Sequence, residues 1–239
     1  MTSRFIESLL AAEHPVVMEV KRRDAHGFDL IAGHTPAQIV AAYEAAGAPC
    51  ISVVTGRWFG GTRELLRDVA RMTDLPLLQK DFVTRRDQLA AARDLGASAV
   101  LLTAALLPAS VLANLVTAAL RLGLTPFVEV TDEAGIAAVP HPGDCVIAVN
   151  NKDITVRERD PGDIGRSLDL LPALRASGTP CPVSASAIGT PQAAAELLDA
   201  GYAGLLVGTA LLRSSSPRAW LTDLEHARRT ARPAALRPA

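Results

Sequence analysis

Neither sign of charge is in excess in this chain: 24 lysines and arginines stand against 25 aspartates and glutamates, a formal net charge of -1. No field over the whole surface is available to gather nucleic acid or anionic lipid, so an anionic ligand must be held by a local pocket. Cysteine is scarce. Cys50, Cys145 and Cys181 lie far apart beside apolar runs, without the paired spacing of a zinc site or a disulfide framework, and read as core thiols of a protein in a reducing, cytoplasmic setting. Long apolar runs are missing too. Nothing approaches the ~18 residues of a membrane span, and no basic start leads into an apolar stretch as in a targeting peptide. His14, His34, His141 and His226 show no mutual spacing that suggests metal ligation, and no metal or cofactor is expected.

What the chain does have is a repeated alternation. Short β-rich runs occur at 16–20, 50–54, 75–80, 99–103, 126–130, 145–150, 182–186 and 204–208. Between them lie segments with helical apolar spacing, such as TPAQIVAAYEAAGA and TRELLRDVARMTD, several closing on a glycine suited to a helix C-cap. Strands apolar at nearly every position, alternating with helices, predict a parallel sheet covered on its outer face. Eight such units in 239 residues, 49% of them hydrophobic, predict an α/β chain forming a single (β/α)8 TIM barrel over 1–239. Residues 1–14 read as a short N-terminal helix that either closes the barrel bottom or leans over its mouth. The tail from Arg228 reads as frayed and solvated.

In such a barrel the reacting groups stand at the C-terminal ends of the strands. Strand one ends Glu19-Val20-Lys21, strand three Lys80-Asp81, strand five carries Glu129, and strand six ends Asn150-Asn151-Lys152. Two lysines, two carboxylates and two amides are expected to converge there, with partial burial tuning a lysine to act as an acid at neutral pH. A ring of structural salt bridges is the alternative. After strands seven and eight come SASAIGT and VGTALL, whose small residues expose backbone N–H groups beside helix N-termini. Ser186, Ala187, Gly208 and Thr209 are expected to form a phosphate cup, with Lys21 as counter-charge; tight packing that requires small residues is the competing explanation.

The motifs VMEVKRR, ISVVTGRWFGGT, LPLLQKDF, FVEV, AVNNKDI, PVSASAI and LLVGTALL, in this order from Val16 to Ser216, resemble those of the indole-3-glycerol phosphate synthase family. Phosphoribosylanthranilate isomerase and the tryptophan synthase α chain do not share the KDF and VNN spacing. The resemblance implies a cofactor-free carboxy-lyase that closes 1-(2-carboxyphenylamino)-1-deoxyribulose 5-phosphate to indole-3-glycerol phosphate, losing carbon dioxide and water. It implies Lys80 as the acid for the ribulose carbonyl, Glu129, Lys21 and Glu19 sharing the proton transfers of dehydration, and Asn150 orienting sugar hydroxyls.

The departures from the family are as specific as the matches. A Ser-Glu-Ser-Gly turn is replaced by Ser184-Ala185-Ser186-Ala187, which removes a sugar-facing carboxylate and leaves Ser184 as a substrate contact. Lys152 stands where an arginine helps hold the substrate carboxylate, keeping the charge and losing the bidentate fork. Asp24 stands where a serine assists that carboxylate, and an acid there repels it. Trp58 and Phe59 are expected to wall a flat ring, and His26 to face solvent in the mouth loop. These changes favour a divergent synthase with an altered aryl substrate in specialised metabolism; the alternatives are an ordinary tryptophan-pathway synthase and a non-catalytic phosphate-ligand binder or scaffold. The expected partner is a small sugar phosphate, and the expected state a monomer.

Overall fold

The computed structural model describes residues 3–31, 33–156 and 158–231. Eight strands, β1 (Val16–Val20), β2 (Ile51–Val54), β3 (Leu77–Lys80), β4 (Ala99–Thr103), β5 (Thr125–Val130), β6 (Val146–Asn150), β7 (Cys181–Ala185) and β8 (Gly204–Val207), pair in chain order, each parallel to the next. β8 returns to β1, with Val16 opposite Leu205 and Met18 opposite Val207, so the sheet closes into a barrel. Helices α1 (Arg4–Leu10), α2 (Pro36–Ala45), α3 (Arg63–Ala70), α4 (Arg86–Asp94), α5 (Ala109–Arg121), α6 (Glu133–Ala137), α7 (Gly165–Ser177), α8 (Pro191–Ala200), α9 (Thr209–Arg213) and α10 (Pro217–Ala231) complete the fold. This is the (β/α)8 barrel that the alternating pattern predicted. Among the described residues, no helix is long and apolar enough to cross a membrane.

Side chains alternate across each strand, and the two faces build two cores. Outward residues such as Met18, Ile51, Val100, Val128 and Ile147 pack against the helices, while Val17, Leu78, Leu101, Phe127, Val146, Ala148, Cys181 and Val183 fill the interior. All three cysteines are buried, and burial pushes their thiols well above the usual range, to about 12 for Cys145 and Cys181. They are inert packing groups.

The N-terminal helix takes the lower of its two predicted places. α1 is capped by the Ser3 hydroxyl, which accepts from the Ile6 N–H, and Ser3 also meets the Thr125 hydroxyl at the start of β5. Phe5, Ile6 and Leu9 join the interior core, and Phe5 meets Phe127 edge to face at 6.2 Å. The barrel is thus plugged from below, and its opposite end is left open. The expected fraying from Arg228 is corrected within the described residues: α10 runs on to Ala231, and Arg228 Nε donates to Asp199 Oδ1 at 3.0 Å. Residues 232–239 of that tail lie outside the described residues.

Candidate active site

The alternation that fills the interior with apolar groups lower down delivers charge at the top. Glu19 and Lys21, Lys80, Glu129 and Asn150 occupy the inward parity of β1, β3, β5 and β6, just above the last apolar layer. Lys80 Nζ stands 3.5 Å from Glu19 Oε2 and 3.7 Å from Glu129 Oε1, and Lys21 Nζ stands 3.5 Å from Glu19 Oε1. Ser52 donates to Glu19 Oε2 at 3.3 Å, and the Tyr43 hydroxyl donates to the Glu19 carbonyl at 2.8 Å. Asn150 Nδ2 donates to Glu129 Oε2 at 3.3 Å, whereas Glu129 Oε1 is a buried acceptor without a hydrogen-bond donor among the described residues.

Burial and charge push these groups apart. Burial works to raise the Glu19 carboxyl, but Lys80 and Lys21 outweigh it and hold Glu19 below the usual carboxylate range. Burial raises Glu129 as well, and there Lys80 is the main opposition while Glu158 and Glu19 add to the rise, so Glu129 lies above that range. Burial alone would depress Lys80; Glu19, Glu129 and Glu158 overrule it and raise it. The expectation of a lysine tuned downward is therefore corrected: three acids surround the ammonium and keep it charged. Two neighbouring carboxylates are thus driven in opposite directions, Glu19 down and Glu129 up.

Two cavities meet at this cage. One is a small pocket lined by Val54, Phe59, Phe82, Leu101 and Ile154. The other is a cleft of about 920 Å³ running past Ser186, Ala187, Gly208 and Thr209, large enough for a sugar phosphate. The aromatic wall is Phe59 and Phe82. Lys21 Nζ lies 5.1 Å from the Phe59 ring centroid, and Trp58, expected in that wall, instead packs on Phe82 at 4.9 Å with more than half of its surface exposed. Phe82 escaped selection although it follows Lys80-Asp81 directly; the Asp81 carboxylate accepts from its N–H and from the Thr55 hydroxyl and fixes the turn.

At the far end of the cleft, Ser186 and Ala187 both take left-handed backbone, with φ of 65° and 57°. The Ala187 methyl lies against Gly162, where an added Cβ would come within 2.5 Å of it. Gly208 is required for a different reason: a Cβ there would meet Glu19 Oε1 at 2.5 Å.

Parity also corrects two expectations. Ser184 lies on the outer face of β7, where its hydroxyl meets Asn151 Nδ2 at 2.9 Å and Ser167 of α7 at 2.7 Å. Ser184 and Asn151 are therefore a buried tie between strands and helix, and neither reaches the mouth. Ala185, the next residue of β7, faces the interior and brings no polar atom. Asp24 lines the cleft, yet its carboxylate accepts from the His26 and Phe28 N–H groups at 2.9 and 3.0 Å and pairs with Arg213 at 2.8 Å. Its charge is compensated, and the expected repulsion of an anion is removed. His26 is exposed at the cleft edge. Lys152 also lines the cleft, with Nζ donating to the Glu158 carbonyl at 3.0 Å. Glu158, from the β6–α7 loop, is a mouth residue that no motif marked. The grouping of Glu13, His14 and Glu225 lies at the opposite end of the barrel, before β1.

The family model described as indole-3-glycerol phosphate synthase matches residues 1–224. A Pyrococcus furiosus protein named indole-3-glycerol phosphate synthase is 35% identical over 208 residues, covering 87% of this chain and 90% of that one. A Streptomyces coelicolor protein named indole-3-glycerol phosphate synthase 1 is 36% identical over 210 residues, 87% of this chain and 76% of its own. One from Aquifex aeolicus is 34% identical over 223 residues, 92% and 84% of the two chains. With the family model matched over residues 1–224 and relatives at 34–36% identity over most of its length, the chain belongs to the indole-3-glycerol phosphate synthase family.

Proposed function

We propose that the protein is a carboxy-lyase that closes the indole ring of indole-3-glycerol phosphate from 1-(2-carboxyphenylamino)-1-deoxyribulose 5-phosphate, releasing carbon dioxide and water. The observation that carries this reading is the position of Lys80, held between Glu19 and Glu129 where the aromatic pocket opens into the phosphate cleft. The phosphate sits in the cup of Ser186, Ala187, Gly208 and Thr209 with Lys21 nearby, the aryl ring lies between Phe59 and Phe82, and the ribulose carbonyl is left beside Lys80. The Lys80 ammonium gives its proton to the carbonyl oxygen as the ring carbon attacks. Loss of the carboxyl group as carbon dioxide restores the aromatic ring. In the dehydration that follows, Glu129 takes up a substrate proton while an ammonium of the cage protonates the departing hydroxyl. Glu19 remains ionised, fixing both lysines, and Asn150 and Lys152 orient the sugar and the aryl carboxylate.

The test is incubation of the purified protein with this substrate, followed by indole fluorescence and product mass. Turnover by the native protein and a loss of about 10³-fold in Lys80→Ala are expected; absence of turnover by the native protein overturns the reading. A second reading, a ring-substituted substrate of specialised metabolism, draws support from Ala185 and from Lys152 in the carboxylate-facing position. It requires a higher kcat/KM for a substituted ring than for the plain 2-carboxyphenyl compound in side-by-side assay.

A further inference from the structure

Glu158 has the marks of a placed group. It is 6% exposed, although it belongs to a connecting loop. Its backbone is left-handed, φ 56°, a conformation non-glycine residues seldom adopt without being held there. The holding contacts are visible: its N–H donates to the Asp153 carbonyl at 3.0 Å, and its carbonyl accepts from Lys152 Nζ at 3.0 Å. The loop is tied down at its root by Arg166, which donates to the Asn150 and Lys152 carbonyls at 2.7 and 3.2 Å.

The location of this carboxylate is specific. Three residues line both the aromatic pocket and the phosphate cleft: Lys21, Lys80 and Glu158. The junction of those cavities is where the pentulose chain of the substrate lies, between the aryl ring and the phosphate. The neighbouring strand, β7, offers only Cys181, Val183 and Ala185 to the interior. The negative charge of Glu158 is also felt by the cage, since it strengthens proton binding at both Lys80 and Glu129.

We infer that Glu158 is a substrate-facing carboxylate of this enzyme, delivered by the β6–α7 loop rather than by a strand, which accepts hydrogen bonds from the pentulose hydroxyls and counter-charges Lys80. This rests on the reaction proposed above. The rival role for a buried acid here is a plug that occupies the place of the substrate and repels its anionic groups. The two roles make opposite demands on the same substitution.

The experiment compares the native protein with E158Q, which keeps the shape and removes the charge, and with E158G, which suits the left-handed backbone and leaves a hole open to the cleft. With the native protein turning over, E158Q is expected to lose roughly 10- to 100-fold in kcat/KM. Added formate is expected to raise the rate of E158G at least about fivefold by refilling the hole with a carboxylate, while leaving the native rate unraised; a loop that merely needs its packing gives no such response. Should E158Q fail to fold, formate rescue of E158G decides alone. Native kcat/KM in E158Q, a rate above native, or E158G indifferent to formate each overturns the inference while the reaction stands. A native protein without turnover overturns the reaction, and the inference falls with it.

Discussion

Lys80 is the side chain on which most of the site depends, because among the described residues it is the one cation paired with Glu129 and one of the two paired with Glu19. Lys80→Ala strands Glu129 at 2% exposure and leaves Glu19 to Lys21 alone, and removal of one partner from such a buried group costs about 3–5 kcal/mol at neutral pH. The native Glu19 carboxyl is held low, so its contribution is present above the unfolded carboxylate pKa and is lost as pH falls through the folded one. In the variant both carboxyls move up, and its stability falls as pH rises through their new values. The deficit against native is therefore expected to shrink on acidification, as urea unfolding at several pH values will show. Glu129 sets the activity profile in the same way. As the proton-accepting group it must be ionised, so kcat/KM is expected to fall on acidification with a midpoint above the ordinary glutamate value of 4.5. A midpoint at or below 4.5 assigns that limb to another group. Glu19, Lys21, Lys80, Glu129 and Asn150 were legible in the sequence because strand ends can be found by eye and the fold fixes which end is used. Asn151 and Ser184 were misassigned for want of a parity count: Cys181, Val183 and Ala185 face inward, so Ser184 cannot. Glu158 was not legible, since an acid inside RERDPGD looks like any solvated loop charge until the loop folds over the mouth.

Among the elements, strands were read most faithfully, their ends lying within two residues of those expected. Runs buried on both faces have few competitors for interpretation, whereas the destination of a helix such as α1 depends on contacts distant in sequence. The β7–α8 turn shows the same limit: its small residues signalled an anion cup, but nothing in them announced two consecutive left-handed residues. That conformation costs a non-glycine residue about 1–2 kcal/mol, and glycine avoids it at some expense in chain entropy. Ala187→Gly is therefore expected to stabilise the protein by up to about 1 kcal/mol, read from urea unfolding. An unchanged or lower midpoint would show that the contact between the Ala187 methyl and Gly162 outweighs the backbone relief.

Across the whole molecule, the two ends of the barrel answer to different physics. The lower end is an apolar plug, and the upper end a set of charges held a few ångströms apart. Leu9→Ala opens a cavity beneath Gly204, which the Leu9 side chain covers, and should cost about 2–5 kcal/mol while leaving kcat at the native value in a thermally mild assay. A proportionate loss of kcat would mean that the floor sets the geometry of the cage.

The plug under the barrel has a corollary for redesign. Because α1 and the apolar interior layer lie below the rim charges, a change to one rim side chain leaves the packing of the floor in place. For protein engineering, the segment between β6 and α7, which carries Lys152 and Glu158 together, is held from outside itself, by Arg166 on the Asn150 and Lys152 carbonyls and by Ala187 against Gly162, so a graft of it must bring those contacts with it.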